Sequence, residues 1–414
     1  MFFYNIGIYC YDFAIRLFAL KNNKARQWVK GRKTLFEDMK NNILPSENRI
    51  WIHCPSLGEF EQGRPLIERL TKKYPQCQIL LTFFSPSGYE VRKNYAFADN
   101  VYYLPIDKPK YVRRFFDIVQ PKCIFFIKYD YWLNYIQEAY LRKIPFYSIS
   151  CIFRPQQLYF SFYGKWMLRK LKLITHFYCQ DENSVNLLKK YGIQQAKVVG
   201  DTRFDRVQDV VGAAKANPIV QQFVENKITL IAGSSWQPDE VLLAKLMEQY
   251  PDIQLVIAPH EVDELRIQEV LQLFGQQKII RYTRVTNLQD LALYNVLIVD
   301  TIGILSDIYG YGQMAYVGGG FGKGIHNILE AATYGKPIIF GKKYKKFKEA
   351  VDLVQNQAAF SVCNFSELQC IFERLLQDET YRCQAAQNAK TYVVKHVGAT
   401  DKILQELQLE KDCF

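Results

Sequence analysis

Glu59 lies in the stretch HCPSLGEFEQG, directly after the apolar run RIWIHC and beside a glycine turn that opens a helix. A carboxylate in the first turn of a helix is kept ionised by the helix dipole, which suits a general base taking a proton from a hydroxyl. Dipole complementation alone, worth roughly a few tenths of a kcal/mol, places acidic residues at the same position. Arg154 in CIFRPQQ and Arg203 in GDTRFD also follow apolar runs, and their guanidinium groups suit anionic partners. Loop arginines of this kind are commonly only solvated.

A second constellation lies in the C-terminal half. The stretch GGGFGKGIHNILE, Gly318 to Glu330, runs from an apolar segment through five glycines into a helix start. Glycine turns at helix N-termini gather free backbone N–H groups and hold anions. Neither G-x-G-x-x-G nor G-x-x-x-x-G-K-[ST] fits here, because Gly324 is followed by Ile325. The dinucleotide and P-loop readings both lose support. Asn327 with Glu330 three residues on has the form of a capping box. The glycines, Gly320 at their centre, suggest close approach of a ligand to the backbone. Other residues at apparent strand ends agree: Ser234 and Ser235 in GSSW, Pro259 and His260 in APHE, and Ile302, Gly303 and Ile304 around DTIG. Each is weak alone, and a lone histidine is as often structural as functional. Four such elements in one half point to nucleotide binding. The lysine run Lys342, Lys343, Lys345, Lys346 and Lys348 reads as a solvated face.

These residues need a scaffold that presents strand ends. RIWIHC, QILLTFF, KCIFFIKY, PFYSIS, THFYCQ and AKVVG alternate with helical segments such as EQGRPLIERLTKKY. After a polar, strand-poor region around residues 208–226, alternation restarts with ITLIAG, IQLVIAP, KIIRYT, NVLIVD, MAYVGG and PIIFG. Near-continuous apolar strands separated by helices imply parallel sheets covered on both faces. The expectation is an α/β protein of two Rossmann-like domains, with ligands outside the carboxyl ends of the strands in an interdomain cleft. The expected organisation is an N-terminal membrane-proximal helix over 1–35, a first domain over 36–208, a second over 209–390, and a final helix over 391–414 that packs back on the first domain.

Composition narrows the partners. The 414 residues are 49% hydrophobic and 23% charged, as in a globular chain. Lys and Arg exceed Asp and Glu by 53 − 41 = 12, which favours an anionic partner. Nucleic acid is disfavoured, since no RNA-binding module is present and the basic residues are spread widely. The ten cysteines lack any C-x-x-C pair and read as reduced, mostly buried thiols. The opening MFFYNIGIYCYDFAIRLFAL is apolar but interrupted by Asn5, Asp12 and Arg16, and a basic flank follows from Lys21 to Lys33. That pattern favours attachment to the cytoplasmic face of a membrane, over a core helix with a solvated basic end and over a true span.

Five stretches, HCPSLGEFEQG, GDTRFD, AGSSWQPDE, APHE and VGGGFGKGIHNILEAATYGKPIIFG, resemble the lipid A Kdo transferases (3-deoxy-D-manno-octulosonic acid transferases) of the GT-B glycosyltransferase fold. They occur in the family's order over nearly the whole chain. The resemblance implies an inverting, metal-independent glycosyltransferase of lipopolysaccharide biosynthesis at the cytoplasmic face of the bacterial inner membrane. It would move Kdo from CMP-Kdo to lipid A precursor (lipid IVA). By position, it implies Glu59 as base, and Arg154 and Arg203 as partners of donor phosphate or Kdo carboxylate. It sets CMP against Ser234, Pro259, His260, Ile302–Ile304 and the segment Asn327, Ile328, Leu329 and Glu330. No metal ligand and no cofactor besides the donor substrate is implied. The chain departs from the family pattern where an acidic-x-acidic-x-W-P tract becomes KYDYWLN, so Lys128 stands where an acid is usual. It also departs at Arg203, Ile304 and Ala331, where lysine, an acid and proline are usual. The competing readings are a GT-B enzyme using a UDP-sugar, a Rossmann oxidoreductase, and a non-enzymatic membrane-surface protein.

Overall fold

Six of the runs read in the first half, joined by the half-buried edge segment NVYY that the apolar pattern missed, form β1 (Arg49–Cys54), β2 (Gln78–Phe83), β3 (Asn100–Tyr103), β4 (Cys123–Ile127), β5 (Phe146–Cys151), β6 (His176–Cys179) and β7 (Ala196–Val198). The structure is a computed structural model and describes residues 1–409; the end of the 391–414 segment and Cys413 lie outside the described residues. The strands form one parallel sheet in the order β3-β2-β1-β4-β5-β6-β7. β1, β4 and β5 are buried along their whole length, as expected when helices cover both faces. Side-chain alternation still sorts the two faces. Trp51 points into a ring cluster with Phe115, Phe116, Phe126 and Tyr135. Its neighbours Ile50 and Ile52 join Phe60, Leu66 and Tyr147 on the other face.

The second half repeats the plan with β8 (Thr229–Ser235), β9 (Gln254–Pro259), β10 (Ile279–Arg281), β11 (Val296–Ile298), β12 (Met314–Val317), β13 (Ile338–Gly341) and β14 (Ala359–Val362). Their order is β10-β11-β9-β8-β12-β13-β14, again all parallel. The chain divides into two units, one holding Met1–Arg206 and the segment from Val397, the other Val207–His396. The strand-poor region is helical, with helices Thr202–Gly212 and Pro218–Phe223. The return to the first unit is anchored on buried Asp205, whose carboxylate accepts from Gly398 N (2.6 Å), Thr400 N (2.7 Å) and Thr400 Oγ1 (2.5 Å). Helix Ala399–Leu409 then sets Ile403 and Leu407 into the core beneath β1 and β4.

Each sheet has one place where the chain reverses its direction of winding. In the first, β1 leads to β2 and β3 on one side, and β4 returns to the other side of β1. In the second, β8 leads away through β9, and β12 returns beside β8 on the opposite flank. Loops leaving the two strands at such a point diverge and open a crevice at the strand carboxyl ends.

The polar interruptions of the N-terminal run have structural work within the first unit. Helix Phe2–Phe18 docks through Tyr4 Oη to Asp107 (2.5 Å), Asn5 to Asn134 (3.0 Å) and Asp12 to Lys108 (2.6 Å). Its other face leaves Phe2, Phe3, Ile6, Phe13, Leu17 and Phe18 exposed. No helix among the described residues is long and apolar enough to cross a membrane. One member of the basic flank is not a solvated charge. Arg32 donates to the carbonyls of Phe84 and Leu104 (both 2.9 Å) and stacks on Trp28 at 3.9 Å. Burial lowers its guanidinium to about 9, partly offset by Tyr103 and other neighbours.

Candidate active site

The first crevice is built from the ends of β1 and β4. After Cys54 the backbone turns through Pro55 and extended Ser56, and helix Leu57–Lys73 places Glu59 in its first turn. One carboxylate oxygen of Glu59 accepts from Ser56 Oγ; the other accepts from Lys128 Nζ at 3.1 Å. Because the Ser56 hydroxyl turns to the carboxylate, it makes no cap to the helix backbone. Partial burial pushes the Glu59 carboxyl up, but the Ser56 hydrogen bond and the Lys128 charge together outweigh it. The carboxyl lies below its ordinary range. Lys128 is held at the end of β4 in a left-handed conformation (φ 67°). Its N–H donates to Ile149 O (2.8 Å) and its carbonyl accepts from Ser148 Oγ (3.1 Å). A left-handed lysine costs about 1 kcal/mol or more, so its neighbours must enforce it.

Asp130 and Trp132 of the same KYDYWLN stretch are linked to β1. Asp130 is bonded to Trp132 Nε1 (2.9 Å) and to Nε2 of buried His53 (3.3 Å), while His53 Nδ1 pairs with Thr82 Oγ1 (2.9 Å). Arg203 binds the Asp201 carboxylate through Nε (2.8 Å) and its own backbone N–H (2.9 Å). Asp201 also accepts from Gln62 (3.2 Å), one turn along the helix that carries Glu59. Arg203 is thus tied to that helix through a carboxylate. Arg154 is exposed after β5, its backbone N–H on Gln157 (3.1 Å), and among the described residues it makes no hydrogen bond or ion pair to Ser56, Glu59 or Lys128.

The second crevice, at β8 and β12, is built mostly from backbone. Ser234 adopts φ 52° at the end of β8. The Ser235 hydroxyl, offered by the sequence as a ligand donor, is instead given to buried Glu240 (2.9 Å), which pairs with Arg266. Gly318 and Gly320 are glycines because neighbouring chain passes against them. A Cβ on Gly318 would lie 2.2 Å from Ser234 O, and one on Gly320 2.5 Å from Gly341 N. At these two positions the close approach is between protein segments, which replaces the expectation that a ligand alone demands the glycines. Buried Asp239 ties the segments together, accepting from Trp236 N (3.0 Å), Gly319 N (2.9 Å) and Tyr316 Oη (2.8 Å). Desolvation raises its carboxyl above the ordinary value despite these donors.

The lysine run is more than a solvated face. Lys343 Nζ donates to Gly322 O and Lys346 Nζ to Lys323 O, both at 2.7 Å, clamping the glycine loop. The capping expectation also changes in detail. The helix is short, Leu329–Thr333, with Ile328 at the cap position. Asn327 Oδ1 accepts from Leu329 N (3.2 Å), and its amide donates to Glu330 (2.8 Å). The box is closed between side chains, not onto the Asn327 backbone. His260, exposed after β9, stacks on Trp236 (4.8 Å between centroids) and on His326 (4.3 Å), whose Nε2 accepts from Trp236 Nε1 (2.9 Å). Burial, then the nearby His260, lowers the His326 imidazole to about 4. Trp236, Asp239 and His326 were quoted in the sequence motifs without a role; only the fold gives them one. Ile302 is exposed in the turn after β11, with Gly303 at φ 98°. Asp300 beside it is fixed by Arg281 (2.7 Å) and Thr283 (2.6 Å).

Two parallel seven-stranded sheets, each with a built crevice at its winding reversal, define an α/β protein of the GT-B glycosyltransferase fold. A solved UDP-GlcNAc 2-epimerase from Neisseria meningitidis shares this fold, with a TM-score of 0.62 at 16% identity over 87% of this chain and 100% of that one. Residues 24–206 match the model of the 3-deoxy-D-manno-octulosonic-acid transferase (kdotransferase) family. A 3-deoxy-D-manno-octulosonic acid transferase of Haemophilus influenzae is 28% identical over 95% of this chain and 94% of its own length. One from Aquifex aeolicus is 26% identical over 80% and 86%. Over nearly its whole length the chain is thus similar to the Kdo transferases, a family of glycosyltransferases.

Proposed function

We propose that this protein moves Kdo from CMP-Kdo to a hydroxyl of lipid A precursor, with inversion and without a metal, at the cytoplasmic face of the inner membrane. The observation that carries the chemistry is the Glu59 carboxyl at the β1/β4 crevice, held by Ser56 and Lys128. Glu59 takes the acceptor hydroxyl proton as the new oxygen–carbon bond forms at the anomeric carbon of Kdo. The bond from that carbon to the phosphate oxygen breaks, and CMP leaves as an anion that needs no proton. Arg154 and Arg203 are proposed for the donor phosphate or the Kdo carboxylate, where positive charge would stabilise the departing group.

The CMP moiety is assigned to the β8/β12 crevice: Ser234, Pro259-His260, Ile302–Ile304 and Asn327–Glu330. Support comes from the rigid glycine loop and the ring group at its side. The exposed apolar face of helix Phe2–Phe18 supports attachment to the membrane surface that holds the acceptor. The test is mass spectrometry of purified protein incubated with CMP-Kdo and tetraacylated lipid A precursor. A mass gain of one or more Kdo units is expected. Transfer from a UDP-sugar with none from CMP-Kdo would overturn the donor assignment.

A further inference from the structure

We propose that Lys128 is a positioning residue for Glu59: from β4 it aims one oxygen of the carboxylate and holds the group as an anion ready to take a proton. The inference rests on the reading of Glu59 as the base. It goes further by assigning a task to a cation where the family pattern has an acid.

Three observations carry it. The contact joins the segments that leave adjacent strands β1 and β4 at the winding reversal, with Lys128 Nζ 3.1 Å from Glu59 Oε1. The lysine backbone is locked in a left-handed conformation by Ile149 and Ser148, which a casual surface pair between flexible side chains does not require. Finally, both partners are mostly buried, their side chains 26% and 20% exposed, so water screens the pair only in part.

The neighbouring charges leave the task to Lys128. On the Glu59 side, Ser56 is neutral and the thiol of buried Cys54 is pushed up by desolvation and by the nearby Glu59 and Glu61. Glu61 is itself engaged by Arg92 (2.9 Å), Arg206 (3.0 Å) and Arg64 (3.9 Å). On the β4 side, Asp130 is engaged by His53 and Trp132. Lys128 is the cation that meets the Glu59 carboxylate directly. Acceptor positions of that carboxylate are filled by Ser56, Lys128 and its own backbone N–H, and a carboxylate has about four, so room remains for an acceptor hydroxyl.

The test compares wild type, Lys128→Met and Lys128→Arg in kcat/KM against pH. The sign is fixed: a nearby cation favours the charged form, so its removal raises the Glu59 pKa, and a base must be ionised to act. The acid limb of Lys128→Met should therefore move to higher pH by about one unit, lowering activity on that limb roughly tenfold. Lys128→Arg should keep the limb near wild type. Carbon-13 NMR of the Glu59 carboxyl, assigned by its loss in Glu59→Gln, should show the same upward shift in Lys128→Met. An acid limb and an NMR titration both unmoved in Lys128→Met would overturn the proposal. A rise in acceptor KM with the limb unmoved would also overturn it and give Lys128 to acceptor binding. An inactive Glu59→Gln enzyme beside either result leaves the base reading standing. Full activity in Glu59→Gln would overturn that reading and the positioning role with it.

Discussion

The crevices at β1/β4 and β8/β12 arise from the same topology and are furnished in opposite ways. The first is equipped with side chains: a carboxylate with a lysine on one oxygen and a hydroxyl on the other. The second is equipped with backbone: glycines pressed against neighbouring chain, with a buried carboxylate and two lysines holding the loop from behind. Proton transfer needs a titratable group whose pKa is set by its neighbours, whereas holding a nucleotide needs a rigid surface of N–H donors and flat rings. On the proposed function, the first crevice is the one that reacts and the second the one that binds.

If that division is right, its largest consequence is at Glu59. Glu59→Gln keeps size and hydrogen-bonding capacity but removes the base, and transfer should fall about 10²–10⁴-fold with an unchanged melting temperature. A loss of less than about tenfold, read by the same mass spectrometry, would move the chemistry elsewhere. Next in size is Gly318→Ala. Its new methyl meets the Ser234 carbonyl, a backbone atom that cannot swing aside, so about 1–3 kcal/mol of stability should be lost in thermal denaturation. A fully stable variant would show that the loop approach is slack.

A smaller effect is tied to pH. The fold favours the neutral form of His326, lowering it from an ordinary 6.5 to about 4. Its contribution to stability is therefore complete above about 6.5 and lost as pH falls toward about 4, where the unfolded chain binds the extra proton. Urea midpoints should drop over that window, and His326→Gln should flatten the drop. An identical drop in the variant would assign it to other groups. The smallest effect is expected at Gly322→Ala, whose nearest atom would be an ordinary 3.6 Å away. A change within about 0.5 kcal/mol is expected there, and a loss as large as that of Gly318→Ala would end the distinction between the two glycines.

Much of the fold was readable because parallel strands buried on both faces must be near-continuous apolar runs. RIWIHC became β1 and MAYV became β12 on that basis. Of the candidate site, Glu59 was visible through its glycine turn and helix start, and the glycine loop through its composition. Lys128 was visible only as an unusual residue. Its contact with Glu59 spans 69 positions and depends on β4 lying beside β1, which no local pattern encodes. The lysine run is solvent-exposed as read, but its loop contacts were hidden for a related reason. Lys343 and Lys346 look solvent-bound until the turn after β13 is laid against the loop after β12. Asn327 was read one step too literally, since the true helix begins at Leu329.

The sequence by itself determined twelve of the strands, missing the edge strands β3 and β14, and also that two αβ series follow one another and which strand ends carry unusual residues. Periodicity and burial act over a few neighbours, and the chain order records them directly. Only the tertiary structure decided that Glu59 meets Lys128, that the Ser235 hydroxyl serves Glu240, and that Gly318 is small for the sake of Ser234. Those facts follow from which strands lie side by side at the two winding reversals. Strand order is set by how whole layers pack, and contacts across a reversal join residues that are distant in the chain.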